Sequence, residues 1–207
     1  MDAVSSVGGS GRTDPARAMR VIAGKFRSRR LQSLPGMAVR PTSDRLRETL
    51  FDILTAGNPS ALEGTVWIDL YAGTGAVGIE ALSRGASRVC FVESAPDAAE
   101  LIRENLLTLG VKNGFQLLRQ DALKALRACE QSGIQADFVF MDPPYRMEAA
   151  YAQALMALSN SNLLREESLV MVEHQKKFDP GEQIASLHRY RQLKQGDAAL
   201  SFYRRGT

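Results

Sequence analysis

Four carboxylates and one glycine loop carry most of the chemistry available to this sequence. Asp69-Leu-Tyr-Ala-Gly73-Thr-Gly75-Ala-Val-Gly78 sets an acid and three glycines where an apolar run gives way to a helical pattern. Glycines let the backbone turn tightly and approach a ligand without Cβ interference, and the following helix N-terminus adds partial positive charge. A glycine triplet alone also makes an ordinary turn, so its company matters. Asp69 sits at the C-terminal end of a strand, where open α/β sheets bind ligands. Glu93 ends the next strand, 24 residues on, where a carboxylate can take both hydroxyls of a ribose. A dinucleotide site would show the same Glu93. An acid ahead of the loop disfavours a pyrophosphate and suits a cation. S-adenosylmethionine, with a sulfonium and an ammonium group, matches that requirement.

Asp142-Pro143-Pro144-Tyr145 follows a later apolar run. Two prolines remove two N–H donors and stiffen the turn. What remains is a rigid set of acceptors, the Asp142 carboxylate and the Pro143 carbonyl, beside the flat face of Tyr145. Two acceptors and a ring suit a planar amine with two N–H bonds. Such an amine is a poor nucleophile because its lone pair is delocalised into the ring. Accepting its hydrogens lets that pair localise as a methyl group is attacked. The bland alternative is a stiff strand-closing turn, for which Pro-Pro is ordinary.

Asp121, with Ala122 beside it, ends a third strand, where an Asp can accept from an adenine amino group. It serves equally well as a helix N-cap. His174 and His188 have no partner at catalytic spacing and read as surface or sheet-edge residues. Cys90, Cys129 and Trp67 read as core.

The elements that must position these residues alternate. Apolar or β-branched runs at 66–71, 88–93, 115–119, 137–141 and 169–173 are separated by helical patterns at 76–84, 96–109, 122–130 and 148–158. Pro96 stands at the favoured first turn of its helix. Short connections between such units predict an open, mostly parallel sheet with helices on both faces. Two further strands, at 187–193 and 198–204 around the turn 194–197, predict an antiparallel pair at one edge. Ahead of this unit, residues 20–25 and 29–34 are two β-like runs around a basic turn, expected to form a hairpin. A helix capped by Thr42 or Ser43 is expected to run to about Ala56, with Leu46, Leu50, Ile53 and Leu54 inward and Arg45 and Glu48 outward. Residues 1–18 are rich in Ser, Gly and Ala without periodicity and read as a disordered leader or an appended tail.

Composition narrows the function classes. The chain has 207 residues, 44% hydrophobic and 24% charged, which suits a globular protein and excludes wholesale disorder. Apolar runs of a few residues exclude a membrane-spanning helix, which needs about 20. Two cysteines without metal-ligand spacing exclude a cysteine zinc site and a disulfide scaffold, and no metal is expected. With no signal-peptide pattern, they fit a reducing, cytoplasmic setting. Charge is uneven. Residues 20–47 hold Arg20, Lys25, Arg27, Arg29, Arg30, Arg40, Arg45 and Arg47 against Asp44 alone, a net +7. Residues 1–19 balance, so the other 160 carry −4 of the overall +3. A basic segment on an acidic body is the footprint of a polyanion-binding edge.

Taken together, the sequence closely resembles the bacterial small-subunit ribosomal RNA guanine-N2 methyltransferases, the 16S rRNA (guanine966-N2) family. The resemblance covers residues 19–204. It rests on Arg20-Val-Ile-Ala-Gly-Lys25, the block Arg40-Pro-Thr-Ser-Asp-Arg-Leu-Arg-Glu-Thr-Leu-Phe51, Asp69 through Gly75, Glu80-Ala-Leu-Ser-Arg-Gly85 and Asp142 through Tyr145. The glycine and Asp-Pro-Pro-Tyr motifs alone specify an amino-methyltransferase superfamily; the arginine-rich head and the Arg40–Phe51 block narrow it.

The resemblance implies a Rossmann-like, seven-stranded methyltransferase fold, mostly parallel with an antiparallel edge strand. It implies S-adenosylmethionine as donor and one guanine of 16S rRNA as target, within an assembled or assembling small subunit, by a monomeric enzyme. Asp142, Pro143, Pro144 and Tyr145 match the catalytic turn. Asp69, Gly73, Gly75, Glu93, Asp121 and Ala122 match cofactor positions. Arg20, Lys25, Arg27, Arg29, Arg30 and Arg40 are the expected RNA contacts. Residues 19–60 would form a basic extension and 61–207 the methyltransferase domain. The rivals are DNA adenine-N6 methylation, disfavoured without a target-recognition domain, protein glutamine methylation, usually with Asn in place of Asp142, and a non-catalytic RNA-binding module.

Overall fold

The structure is a computed structural model that describes residues 19–34 and 41–206, with the backbone alone for residues 41–43. Arg40 and residues 1–18 therefore lie outside the described residues. Strands β1 (Val66–Leu70), β2 (Arg88–Val92), β3 (Phe115–Leu118), β4 (Ala136–Met141) and β5 (Leu164–Gln175) alternate with helices α2 (Ala76–Ser83), α3 (Pro96–Thr108), α4 (Ala122–Gln131) and α5 (Glu148–Ser159). Helix α1 (Pro41–Leu54) precedes them, and β6 (Gln183–Ile184), β7 (Leu187–Gln195) and β8 (Ala198–Arg205) complete the sheet. The strand order is β3-β2-β1-β4-β5-β8-β7-β6. The first five are parallel, β8 runs antiparallel to β5, and β7 antiparallel to β8.

The apolar runs are continuous because the sheet is buried on both faces. In β4, Phe138 and Phe140 join the cluster of α1, α2 and α3, while Val139 and Met141 join that of α4 and α5. Trp67 stacks between Phe51 of α1 and Phe138 of β4, with ring centroids 5.5 and 4.7 Å away. Leu46, Leu50 and Phe51, at helical spacing, bring α1 onto that face. Trp67, Cys90 and Cys129 are all core, as their positions predict.

The N-terminal arm is a short, irregular form of the expected hairpin. Its limbs pair antiparallel over a short stretch, through the Arg20–Arg30 bridge and the Val21 N–H to Arg29, Leu31 N–H to Met19 and Ser28 N–H to Val21 carbonyl bonds, and a 3-10 turn, Gly24–Phe26, occupies its tip. The reason is a competing partner. The Ile22 and Ala23 N–H groups donate to the two carboxylate oxygens of Glu80, and the Phe26 N–H donates to Ser83 Oγ. Gly24 has φ +77° and lies so close that a Cβ would meet the Ser83 carbonyl oxygen at 1.9 Å. The Glu80–Gly85 stretch thus docks the arm on α2.

Four further expectations change. His174 is not a surface residue. It is fully buried in β5, where Nδ1 donates to the Gln175 carbonyl and Nε2 bonds the Ser201 hydroxyl. Burial holds its pKa below the ordinary value. Arg47, counted with the basic edge, is 5% exposed; it pairs with Asp44 at 3.1 Å and donates to the Arg20 carbonyl. Strand β5 starts five residues earlier than expected because the polar stretch Arg165–Ser168 conceals it; a register shift in β4–β5 pairing falls there. Finally, the β7–β8 pair is antiparallel as expected, but an eighth strand, the two-residue β6, lies outside it and forms the edge.

Candidate active site

Tyr71, directly after β1, adopts φ +63°, a left-handed conformation uncommon for a non-glycine residue and frequent at functional sites. Nothing in the residue pattern signalled it. The glycine loop follows. Gly73 (φ +56°) donates its N–H to Glu93 Oε2 at 3.0 Å, and Glu93 Oε1 accepts from the Ala95 N–H at 2.8 Å. Glu93 thereby fixes the loop and retains lone pairs on both oxygens. Gly75 (φ +77°) is the N-cap of α2. A Cβ on Gly78 would lie 2.3 Å from the Phe91 ring, so glycine there lets α2 pack on β2. The Gly78 N–H donates to Asp69 Oδ2 at 2.9 Å.

Asp142, Pro143, Pro144 and Tyr145 leave the end of β4, next to β1, with the Asp142 N–H reaching the Leu70 carbonyl. The chain then turns through a Met147 N–H to Pro144 carbonyl bond of 2.7 Å. Pro143 is buried, Asp142 and Tyr145 are half-buried, and Pro144 is exposed. The Tyr151 hydroxyl, buried in α5, donates to the Pro143 carbonyl at 3.1 Å. Sequence reading missed Tyr151 because its spacing on α5 marks it only as a core position. A carbonyl oxygen has a second lone pair, so Pro143 can still accept from a ligand.

These parts meet. One cavity of about 620 Å³ is walled by Asp69, Gly73, Glu93, Asp121 and Ala122 on one side and by Asp142 through Tyr145 on another. Gly75 stands behind the wall. Asp121 caps α4, accepting from the Leu123 N–H at 2.9 Å, and also borders the cavity. The helix-cap reading therefore holds, and the cap residue also faces the cavity. Met19 and Ser33 of the arm and Leu46, Arg47 and Leu50 of α1 close the remaining side.

The electrostatics select for a cation. Asp69, Glu93, Asp121, Asp142 and Glu173 line the cavity, and among the described lining residues Arg47 is the one cation. Burial, reinforced by Asp142 and Glu93, pushes the Asp69 carboxyl up to about 7 against the Gly78 hydrogen bond. Burial and Asp121 raise Tyr71; burial and then Asp142 raise Tyr151. Such a cavity repels a pyrophosphate and fits a nucleoside bearing positive charge. S-adenosylmethionine meets that description.

Of the expected polyanion contacts, Arg20, Lys25, Arg27, Arg29 and Arg30 are all exposed on the arm. Arg29 Nη2 donates to the Thr108 carbonyl at the end of α3 at 3.0 Å, and Lys25 Nζ sits 4.8 Å over the Phe26 ring.

Relatives share this architecture over most of its length. The candidate rRNA methyltransferase YlbH of Bacillus subtilis is 31% identical over 187 residues, 90% of this chain and 99% of that protein. Ribosomal RNA small subunit methyltransferase D of Haemophilus influenzae is 36% identical over 159 residues, 76% of this chain and 79% of its own. The solved structure of the candidate methyltransferase yhhF from Escherichia coli superposes with a TM-score of 0.75 at 30% identity, covering 91% of this chain and 98% of that one. The family described as Conserved hypothetical protein 95 matches residues 19–204, and the chain belongs to it.

Proposed function

We propose that the protein methylates the exocyclic N2 amino group of a guanine in 16S ribosomal RNA, with S-adenosylmethionine as donor. The observation that carries this reading is the meeting of the Asp142–Tyr145 acceptor turn with Asp69 and Glu93 in one cavity, to whose wall the basic arm contributes Met19 and Ser33. The names of the relatives, which specify the small ribosomal subunit, support the substrate class. The substrate is RNA in an assembled or assembling small subunit. The enzyme acts as a monomer in the cytoplasm, with residues 19–60 as the RNA-binding extension and 61–207 as the methyltransferase domain.

Bound S-adenosylmethionine supplies an electrophilic methyl group on a sulfonium. The chain's residues do the rest. Glu93 holds the ribose hydroxyls and Asp121 the adenine amino group, while Asp69 faces the cationic end. The target base must leave its stack, because a paired guanine cannot present N2 for in-line attack. Tyr145 offers the extruded base a stacking face. Asp142 and the Pro143 carbonyl accept its two N–H bonds, and the Tyr151 hydroxyl holds that carbonyl in place. Drawing on both hydrogens localises the nitrogen lone pair, and the proton departs to Asp142 or to water. Alignment supplies much of the rate, since displacement at carbon requires a linear approach. Arg20, Lys25, Arg27, Arg29, Arg30 and Arg40 contact phosphates and set the register without reading bases.

Nucleoside mass spectrometry of 16S rRNA from cells with and without the gene tests this. N2-methylguanosine should fall by one residue per small subunit on deletion and return with the wild-type gene, but not with Asp142→Ala. An unchanged 16S nucleoside profile overturns the proposal.

A further inference from the structure

Asn105, on α3, belongs to no motif, yet it joins the two functional regions. It is 1% exposed. Its Oδ1 accepts from the Gln32 N–H of the arm at 2.7 Å, and its Nδ2 donates to the Gln32 carbonyl at 3.2 Å. The same Nδ2 donates to the Thr74 carbonyl, inside the glycine loop, at 3.1 Å. One buried amide therefore holds the arm's backbone in both directions and grips the loop that faces the cofactor. Two other contacts run in parallel. Thr74 Oγ1 meets Met19 Sδ at 3.3 Å, and Glu80, one turn into the helix that opens from the loop, accepts from Ile22 and Ala23. Met19 and Ser33 also form part of the cavity wall.

We infer that Asn105 is a positioning residue that couples the two binding events: cofactor in the cavity favours the arm conformation that binds RNA, and RNA on the arm favours cofactor. The inference rests on the reading of the arm as the RNA-binding segment. The physical basis is linkage. A ligand that orders the Thr74 loop orders its hydrogen-bond partner, and the partner holds Gln32 directly. The arm is susceptible to such control because its limbs pair with each other only between residues 19–21 and 28–31, while side chains of α2 and α3 hold the backbone of Ile22, Ala23, Phe26 and Gln32. Coupling through a shared element is reciprocal, with typical factors of about 5 to 150.

The test uses the full chain, unmethylated 16S rRNA transcript, and S-adenosylhomocysteine as an unreactive cofactor probe. Saturating probe should tighten RNA binding by at least about fivefold in the parent protein, and RNA should tighten probe binding by the same factor. Asn105→Ala should bring both factors to about one. Asn105→Asp keeps the acceptor for the Gln32 N–H but loses the donor to Thr74, and should do the same. An amide with a merely structural role would lower both affinities and leave the ratio unchanged, which overturns the proposal. Hydrogen exchange on the parent protein needs no variant: the probe should slow exchange at the Gln32 and Val21 amides, and unaltered rates there overturn it also. Charge reversal at Arg27, Arg29 and Arg30 separates the two levels. If it weakens RNA binding while the probe has no effect on RNA affinity, coupling fails and the arm reading stands. If it leaves RNA binding intact, the arm reading itself fails.

Discussion

Replacing Asp69 by Asn should stabilise the cofactor-free protein above neutral pH, although it removes a cavity carboxylate. Asp69 is 1% exposed, and burial raises its pKa from 3.8 to about 7. The folded value lies above the unfolded one, so the unfolded chain releases this proton first. The contribution to stability is fully present below about pH 4, declines as pH rises, and is lost once pH passes about 7. A difference of about three units corresponds to about 4 kcal/mol, of which about 2.5 kcal/mol falls between pH 5 and pH 8. Asn has the same shape, keeps an oxygen for the Gly78 N–H, and does not titrate. Urea unfolding of parent and variant at pH 5, 6, 7 and 8 isolates the effect, because titrating groups that do not interact with Asp69 cancel in the difference. The variant's advantage should grow by about 2.5 kcal/mol across that range. A cation in the cavity favours the ionised form, so S-adenosylmethionine should bind the parent more tightly as pH approaches 7 and bind the variant weakly at every pH. Parallel stability profiles for the two proteins would refute the assignment of a buried, uncompensated carboxyl at this position.

Glu93→Ala should weaken S-adenosylhomocysteine binding about tenfold to a hundredfold in calorimetry, because a charge-assisted ribose contact worth about 1.5–3 kcal/mol is lost and the Gly73 N–H is released. Replacing Arg27, Arg29 and Arg30 by Ala should lower the slope of log affinity against log salt by about 0.7–0.9 per lost phosphate contact, while calorimetric cofactor affinity at fixed salt changes little. Glu80→Gln should cost about 3–5 kcal/mol in chemical denaturation, since Arg84, paired with it at 2.8 Å, loses its buried partner and one arm N–H meets an NH2 group. Tyr151→Phe should reduce turnover more than it raises the KM for RNA, because it frees the Pro143 carbonyl without removing the ring from the core.

The parts of the site written in local sequence were readable. The glycine loop, Glu93 and Asp142–Tyr145 each stand at a strand end, so finding the strand located the residue. Residues defined by distant partners were not readable. The arm looks like a regular hairpin by its own residues, and the Glu80 carboxylate, 58 positions from Ile22, with Ser83 explains why its pairing stays short. Arg47 contributes to a basic stretch by composition, yet the 3.6-residue period puts it beside Leu46 and Leu50 on the inward face. His174 has no sequence neighbour to reveal Ser201, which sits across the β5–β8 pair. Asn105 and Tyr151 act through backbone carbonyls, which every residue possesses and no motif records.

The placement of β8 bears on how the protein is made. Leu200, Ser201, Phe202 and Tyr203 are completely buried between β5 and β7, yet they are synthesised after every other described strand. Until residue 205 has emerged, β5 presents a long open edge with unpaired backbone groups, and both faces lack their share of core. Such edges recruit other strands. Completion of the sheet therefore waits until residue 205 has emerged, and a nascent chain stalled or cut before residue 198 is exposed to aggregation and to proteolysis. The same arrangement makes the closed sheet a report on its own synthesis: a chain that has closed it has been read through at least to residue 205.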